Sequence, residues 1–130
     1  MAKQSAGLEL FNHLYSELSK IGVPVIEMKD LQQELPYPFI VLDNISDDIT
    51  RLTFDRYSGS PAANIHIWSK QEDKGAHDTI LLQVQNVCLS TERTAFYQLE
   101  LNALNVTSTQ DNTTNQPLQH TTVLAEFLSY

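Results

Sequence analysis

The run from Ala62 to Ser69 alternates without a break. Ala63, Ile65 and Ile67 fall on one side of an extended chain, and Asn64, His66 and Trp68 fall on the other. A period of two held this long is a half-buried strand. The strand follows a cluster of turn residues, Asp55-Arg56-Tyr57-Ser58-Gly59-Ser60-Pro61. It leads into Lys74 to Ser90, where Ile80, Leu81, Val84, Val87 and Cys88 recur at helical spacing. A strand delivered so directly into an amphipathic helix calls for a sheet with a helix packed on it. A tryptophan on the polar side of that strand calls for partial cover there too, by a helix, a loop or a partner.

The other segments agree. Residues 5–21 read as a helix, with Leu8, Phe11, Leu14, Tyr15, Leu18 and Ile21 at three- and four-residue steps. Ser5 suits its N-cap, Gly22 its C-terminal stop, and Pro24 forbids continuation. Val23–Met28 reads as a short strand, Asp30–Pro36 as a connector, and Pro38–Leu42 as a strand apolar on both faces. Ile49–Phe54 continues as a strand or arm. Tyr97, Leu99, Leu101 and Ala103 alternate with polar residues, and Leu118–Tyr130 forms a last strand. Ser108–Gln116, rich in Thr, Asn and Gln and without glycine, reads as a hairpin tip or mobile loop. The order predicts an α+β fold, a mainly antiparallel sheet of about five to six strands packed with two helices. The helices can lie on one face or on both. Residues 1–130 make one domain at this length. The regions Asp43–Phe54 and Asn105–His120 are longer than so small a domain needs and are expected to form extended polar hairpins.

Charge narrows the function. Eight Lys and Arg stand against sixteen Asp and Glu, a net charge of −8. Tight binding of nucleic acid or an anionic membrane needs clustered cations, so neither is expected. A surface that DNA passes without sticking remains compatible. No apolar run reaches the length of a membrane span or a secretory signal, so the expected place of synthesis and use is the cytoplasm. The glycosylation-like tripeptides at Asn44, Asn105 and Asn112 are therefore taken as chance.

No catalytic motif is present: no phosphate-binding glycine loop, Gly-x-Ser-x-Gly, His-Glu-x-x-His or Cys-x-x-Cys. The expectation is no enzyme, no catalytic residue and no cofactor. Cys88, the one cysteine, falls on an apolar helix stripe and reads as buried and inert. The four histidines lack ligand spacing. His66 and His120 can meet across the sheet if their strands are neighbours, but a metal site would need a third ligand, and none is assigned. Asp47, Asp48 and Asp55 could hold a divalent cation, but read more simply as a solvated acidic loop that blunts a sheet edge. Docking on a partner protein is better supported, with Trp68 as an interface anchor; its rival role is an ordinary covered residue.

One stretch carries a family resemblance. Leu35-Pro36-Tyr37-Pro38-Phe39-Ile40-Val41-Leu42 resembles the Pro-aromatic-Pro-hydrophobic strand of small tail-completion proteins of bacteriophages with long non-contractile tails. These are the tail-to-head joining and tail-terminator proteins. Ile65-His66-Ile67-Trp68-Ser69, then Lys70 and a helix opened by Gly75 and Ala76, is similar to that family's strand-loop-helix segment. The resemblance spans nearly the whole chain. It departs where Asp43 and Asn44 stand in place of the family's glycine, and where Gln71, Glu72 and Asp73 enter the linker.

The resemblance implies a structural protein of the virion tail, made in the host cytoplasm. It implies a ring of six subunits that caps the tail tube protein and meets a head connector protein, with DNA passing through unbound. The subunit can be monomeric before it reaches the tail. No catalytic, cofactor or metal residue is implied. Asp47, Asp48 and Asp111 are the acids expected to face a DNA channel or a docking partner, where negative charge would repel phosphate. The alternatives are another small connector or minor tail component, or a small ligand-binding regulatory α+β domain. A ligand binder should have an enclosed apolar pocket. A ring subunit should have projecting arms and two complementary flanks.

Overall fold

The computed structural model describes residues 3–28, 36–53, 56–112 and 117–130. Helix α1 (Ala6–Ser19) opens the fold, followed by strands β1 (Val25–Glu27), β2 (Phe39–Leu42), β3 (Ile49–Thr53), β4 (Arg56–Gly59) and β5 (Ala62–Lys70). Helix α2 (Lys74–Ser90) precedes β6 (Leu99–Asp111) and β7 (Leu118–Ser129). This is the α+β class read from the sequence.

The helix ends are where local chemistry puts them. Ser5 accepts a hydrogen bond from the Leu8 amide at 3.2 Å, satisfying one of the free donors of the first turn. Gly22 sits at φ 99°, a left-handed conformation that only glycine adopts without cost, and the chain turns there toward β1. Leu10, Leu14 and Leu18 are fully buried along one stripe of α1. Each contributes about 1.5–3 kcal/mol relative to exposure.

The sheet runs β1-β2-β5-β7-β6 across its width. Only the β1–β2 pair is parallel; the other pairings are antiparallel. The β3–β4 hairpin joins through Gly59, which pairs with Ser129. Ser129 also pairs with Leu99 of β6, so β4 lies on the β5 side of β7 and extends the sheet past the start of β5. Both helices cover one face. Leu10, Leu14 and Leu18 of α1 and Ile80, Val84 and Cys88 of α2 share a core with Ile40, Leu42, Ala63, Ile65, Ile67, Val123, Ala125 and Phe127.

One local expectation is corrected. The expected turn is not free at its centre: Arg56–Gly59 is strand β4, paired with β3, and Asp55 lies outside the described residues. Ladder pairing with a neighbour overrides the turn preference of Ser58 and Gly59. The glycine is needed for packing, because a β-carbon there would lie 2.5 Å from Ser129 Oγ and 3.0 Å from Asp47 Oδ1. The extended hairpin expected around Ser108 does form, from β6 and β7. Ser108 to Asp111 stay in register with Thr121 to Leu118, and only residues 113–116 of the expected tip lie outside the described chain.

Candidate interaction surface

The face of the sheet away from the helices carries Trp68, His66 and Asn64 of β5, which the sequence placed on the polar side. In an antiparallel ladder directly opposed residues share a face. Phe39 and Val41 therefore join it from β2, and His120 and Thr122 from β7. Phe39 and Val41 are buried, while Trp68, His66, His120 and Thr122 are half-buried.

The two histidines do meet. His66 Nδ1 and His120 Nε2 are 2.9 Å apart, close enough that one nitrogen must donate and the other accept. Thr122 Oγ1 lies 3.3 Å from the first and 3.4 Å from the second. The indole of Trp68 stacks on the His120 ring at 4.0 Å with the planes 3° apart. His66 Nε2 is buried without a hydrogen-bond partner, and the nearest carboxylate oxygen, Asp43 Oδ2, is 3.9 Å away. Burial lowers the pKa of His66 and of His120, and the mutual repulsion of the two rings adds to the lowering at His120. Both rings are thus held toward the neutral form near neutral pH. Trp68 is an aromatic platform, partly accessible and fixed by its neighbour.

The acids do not form one patch. Asp47 is half-buried and Asp48 exposed, both beside the start of β5, where Ser46 bridges Ala62. Asp47 Oδ1 accepts the Ser60 amide at 2.8 Å, and the Asp48 carbonyl accepts the same amide at 2.8 Å. Asp47 is therefore a clamp on the β4–β5 junction. Asp111 pairs with Leu118, which pairs with Lys70 at the opposite end of β5. Eight residue steps of strand put the two ends about 27 Å apart. Asp55 lies outside the described residues. Among the described residues no three or more His, Cys, Asp or Glu side chains converge on a metal position.

Strand β6 forms one lateral edge. Its residues from Asn105 to Gln110 are exposed on both faces, and from Leu101 to Gln110 it carries no charge, proline or glycine. Those are the usual devices that keep an edge from pairing with another chain. The opposite flank ends in β1 and, at the Ala62 end, β3.

Two groups that resemble catalytic parts are structural. Ser69 Oγ lies 2.6 Å from His77 Nδ1, a nucleophile–base spacing, but Ser69 is 1% exposed and His77 is buried beneath α2. Burial pushes the Cys88 thiol up to about 12, which keeps it protonated and inert. Sequence reading missed Glu9. This buried carboxylate accepts Thr94 Oγ1 at 2.7 Å and the Phe96 amide at 3.1 Å, tying α1 to the segment before β6. Its only sequence signal is a charge close to the buried stripe of α1.

Three cavities along the described surface are open troughs. One, of about 470 Å³, runs between the start of α1 and residues 44–49, with Leu8, Phe11, Ile45 and Ile49 on its walls. Among the described residues no helix is long and apolar enough to cross a membrane.

No family model and no curated protein sequence matches the chain. Solved structures do share its fold. A chain from the virion of a native gene transfer agent particle superposes with a TM-score of 0.66 at 10% identity, over 96% of this chain and 99% of that one. A second solved chain, 6% identical, superposes with a TM-score of 0.60 over 95% of this chain and 92% of its own. At these identities the likeness is one of fold.

Proposed function

We propose that this chain is a structural subunit of a phage-like virion, a single α+β domain that acts at the head–tail junction. In this reading copies close into a ring of six on the tail tube protein, end its growth and present a surface to the head connector protein. The observation that carries the reading is the end-to-end correspondence of the fold with a chain of a gene transfer agent virion. The Pro-Tyr-Pro-Phe strand and the His-x-Trp-Ser strand narrow it toward tail completion.

The surface suits that role. A closed ring needs two different flanks that fit each other. The sheet offers the edge of β6, uncharged from Leu101 to Gln110, and β1 with the β3–β4 hairpin on the opposite side. Strand addition along such an edge joins subunits by backbone hydrogen bonds. Trp68, half-buried on the open face, is the docking anchor. The net charge of −8 favours a channel that DNA crosses without adhering, with Asp48 and Asp111 contributing from opposite ends of the subunit.

Inactivation of the gene in its source particle, followed by electron microscopy of the lysate, tests this. Filled heads beside unattached tails support the junction role, and overlong tails specify a terminator. Normally joined particles overturn it.

A further inference from the structure

We propose that His66, His120 and Thr122 form a binding site for a divalent late first-row transition ion such as Zn²⁺, Ni²⁺ or Cu²⁺. The inference is independent of the virion reading.

Two nitrogens each about 2.1 Å from one ion are roughly 3.0 Å apart when they subtend a right angle, and roughly 3.4 Å apart at the tetrahedral angle. His66 Nδ1 and His120 Nε2 are 2.9 Å apart, and Thr122 Oγ1 lies 3.3 and 3.4 Å from them. The three atoms therefore outline one face of a coordination polyhedron. Water would fill the remaining positions, since the site lies on the half-buried open face.

Two features beyond the spacing point to a ligand. His66 Nε2 is buried and lacks a hydrogen-bond partner, with Asp43 Oδ2 at 3.9 Å as its nearest carboxylate. A ligating histidine commonly presents its second nitrogen to a carboxylate, which fixes the tautomer and raises the basicity of the first. The neighbouring ring is also oriented in advance, because Trp68 stacks on His120. That stacking limits how far the His120 ring can turn.

The donor set selects the ion. Imidazole nitrogens suit zinc, nickel and copper, whereas magnesium and calcium require oxygen ligands. The proton balance is simple. With His66 protonated on Nε2, the proton between the rings belongs to His120 Nε2. Coordination moves it to His120 Nδ1, so both rings ligate in the neutral form and no net proton is released.

Trp68 is the chain's one tryptophan and lies against a proposed ligand, so its fluorescence reports the site. The experiment titrates the full chain with NiCl2 at pH 7.5 in a weakly coordinating buffer. Saturable quenching at one equivalent is expected, reversed by ZnCl2, which competes without quenching. His66→Gln and His120→Gln are each expected to weaken the nickel midpoint by at least about tenfold, while His13→Gln leaves it unchanged. Quenching that fails to saturate, or a midpoint unaltered in His66→Gln, overturns the site. Circular dichroism checks that each variant is folded. A measurement on the unaltered chain stands beside them: imidazole nitrogen NMR with ZnCl2 should shift His66 and His120 together, and no shift at either overturns the proposal.

Discussion

His77 Nδ1 lies 2.6 Å from the Ser69 hydroxyl, and the same ring's Nε2 lies 2.7 Å from Thr121 Oγ1. One helix side chain thus joins neighbouring strands β5 and β7 beneath α2. Thr121 passes the chain on to Ser108 of β6 at 2.9 Å. All of this is neutral hydrogen bonding, and burial lowers the His77 pKa so that the ring stays uncharged. His77→Leu should leave two buried hydroxyls short of a partner and cost about 1–3 kcal/mol. Urea unfolding of the variant measures it, and His77→Asn should recover part of the loss.

Acid should destabilise the protein through the same chemistry. His66, His77 and His120 all have pKa values lowered from 6.5 in the folded chain, chiefly by burial. Below the unfolded value the unfolded chain binds more protons than the folded one, so stability falls as pH falls. The full contribution is present above about pH 6.5, the unfolded histidine value, and is lost as pH drops toward the folded values. Thermal unfolding at pH 7.5 and 5.5 should show a lower midpoint in acid, and His77→Asn should narrow the difference. An unchanged difference would remove His77 from this account.

Glu9 holds the segment before β6 to α1 through two hydrogen bonds at one carboxylate oxygen. Glu9→Ala frees the Thr94 hydroxyl and the Phe96 amide, and should cost about 1–3 kcal/mol. Amide hydrogen exchange should quicken at Phe96 more than at Ile65. Uniform quickening would mean a global loss instead.

Gly59 is a close-approach residue. Gly59→Ala brings a β-carbon to 2.5 Å from Ser129 Oγ, so the hydroxyl must rotate or β4 must move away from β7. The expected cost is about 1–3 kcal/mol. Ser129→Ala should relieve part of it, and the two changes together should be less harmful than their sum. Strict additivity in denaturant unfolding would contradict the contact.

The exposed β6 edge separates folding from assembly. Val106 is 41% exposed there, so Val106→Lys should change stability by less than about 0.5 kcal/mol. The same change places a charge within the uncharged run from Leu101 to Gln110 and should block particle joining in complementation. Full complementation would exclude this edge from the proposed ring contact.

What the sequence made legible is what one element decides for itself. The stripe Leu10, Leu14 and Leu18, the Ser5 cap and the Gly22 stop are local, and each is where periodicity puts it. So is the alternation of β5, which placed His66 and Trp68 on the face where His120 also lies. Partnership was not legible. Arg56–Gly59 looks like a turn until β3 pairs with it. Asp47 looked like free charge, and its bond to the Ser60 amide depends on a fold that brings residues thirteen apart together. The resemblance to tail-completion proteins implied an α+β domain, and a gene transfer agent virion chain shares this fold.

Strand β7 follows every other strand in the sequence, yet it lies between β5 and β6 along its length. During synthesis, α1 and β1 to β5 emerge before their central partner exists, and β6 emerges with no strand beside it. The sheet can close only when residues 118–129 arrive, and long-range pairing of this kind slows folding. Until then the inner edge of β5 and both edges of β6 are open templates for other chains. A cell making this protein quickly therefore carries its greatest aggregation risk on incomplete chains, and a slower supply of the last strand would lengthen that exposure.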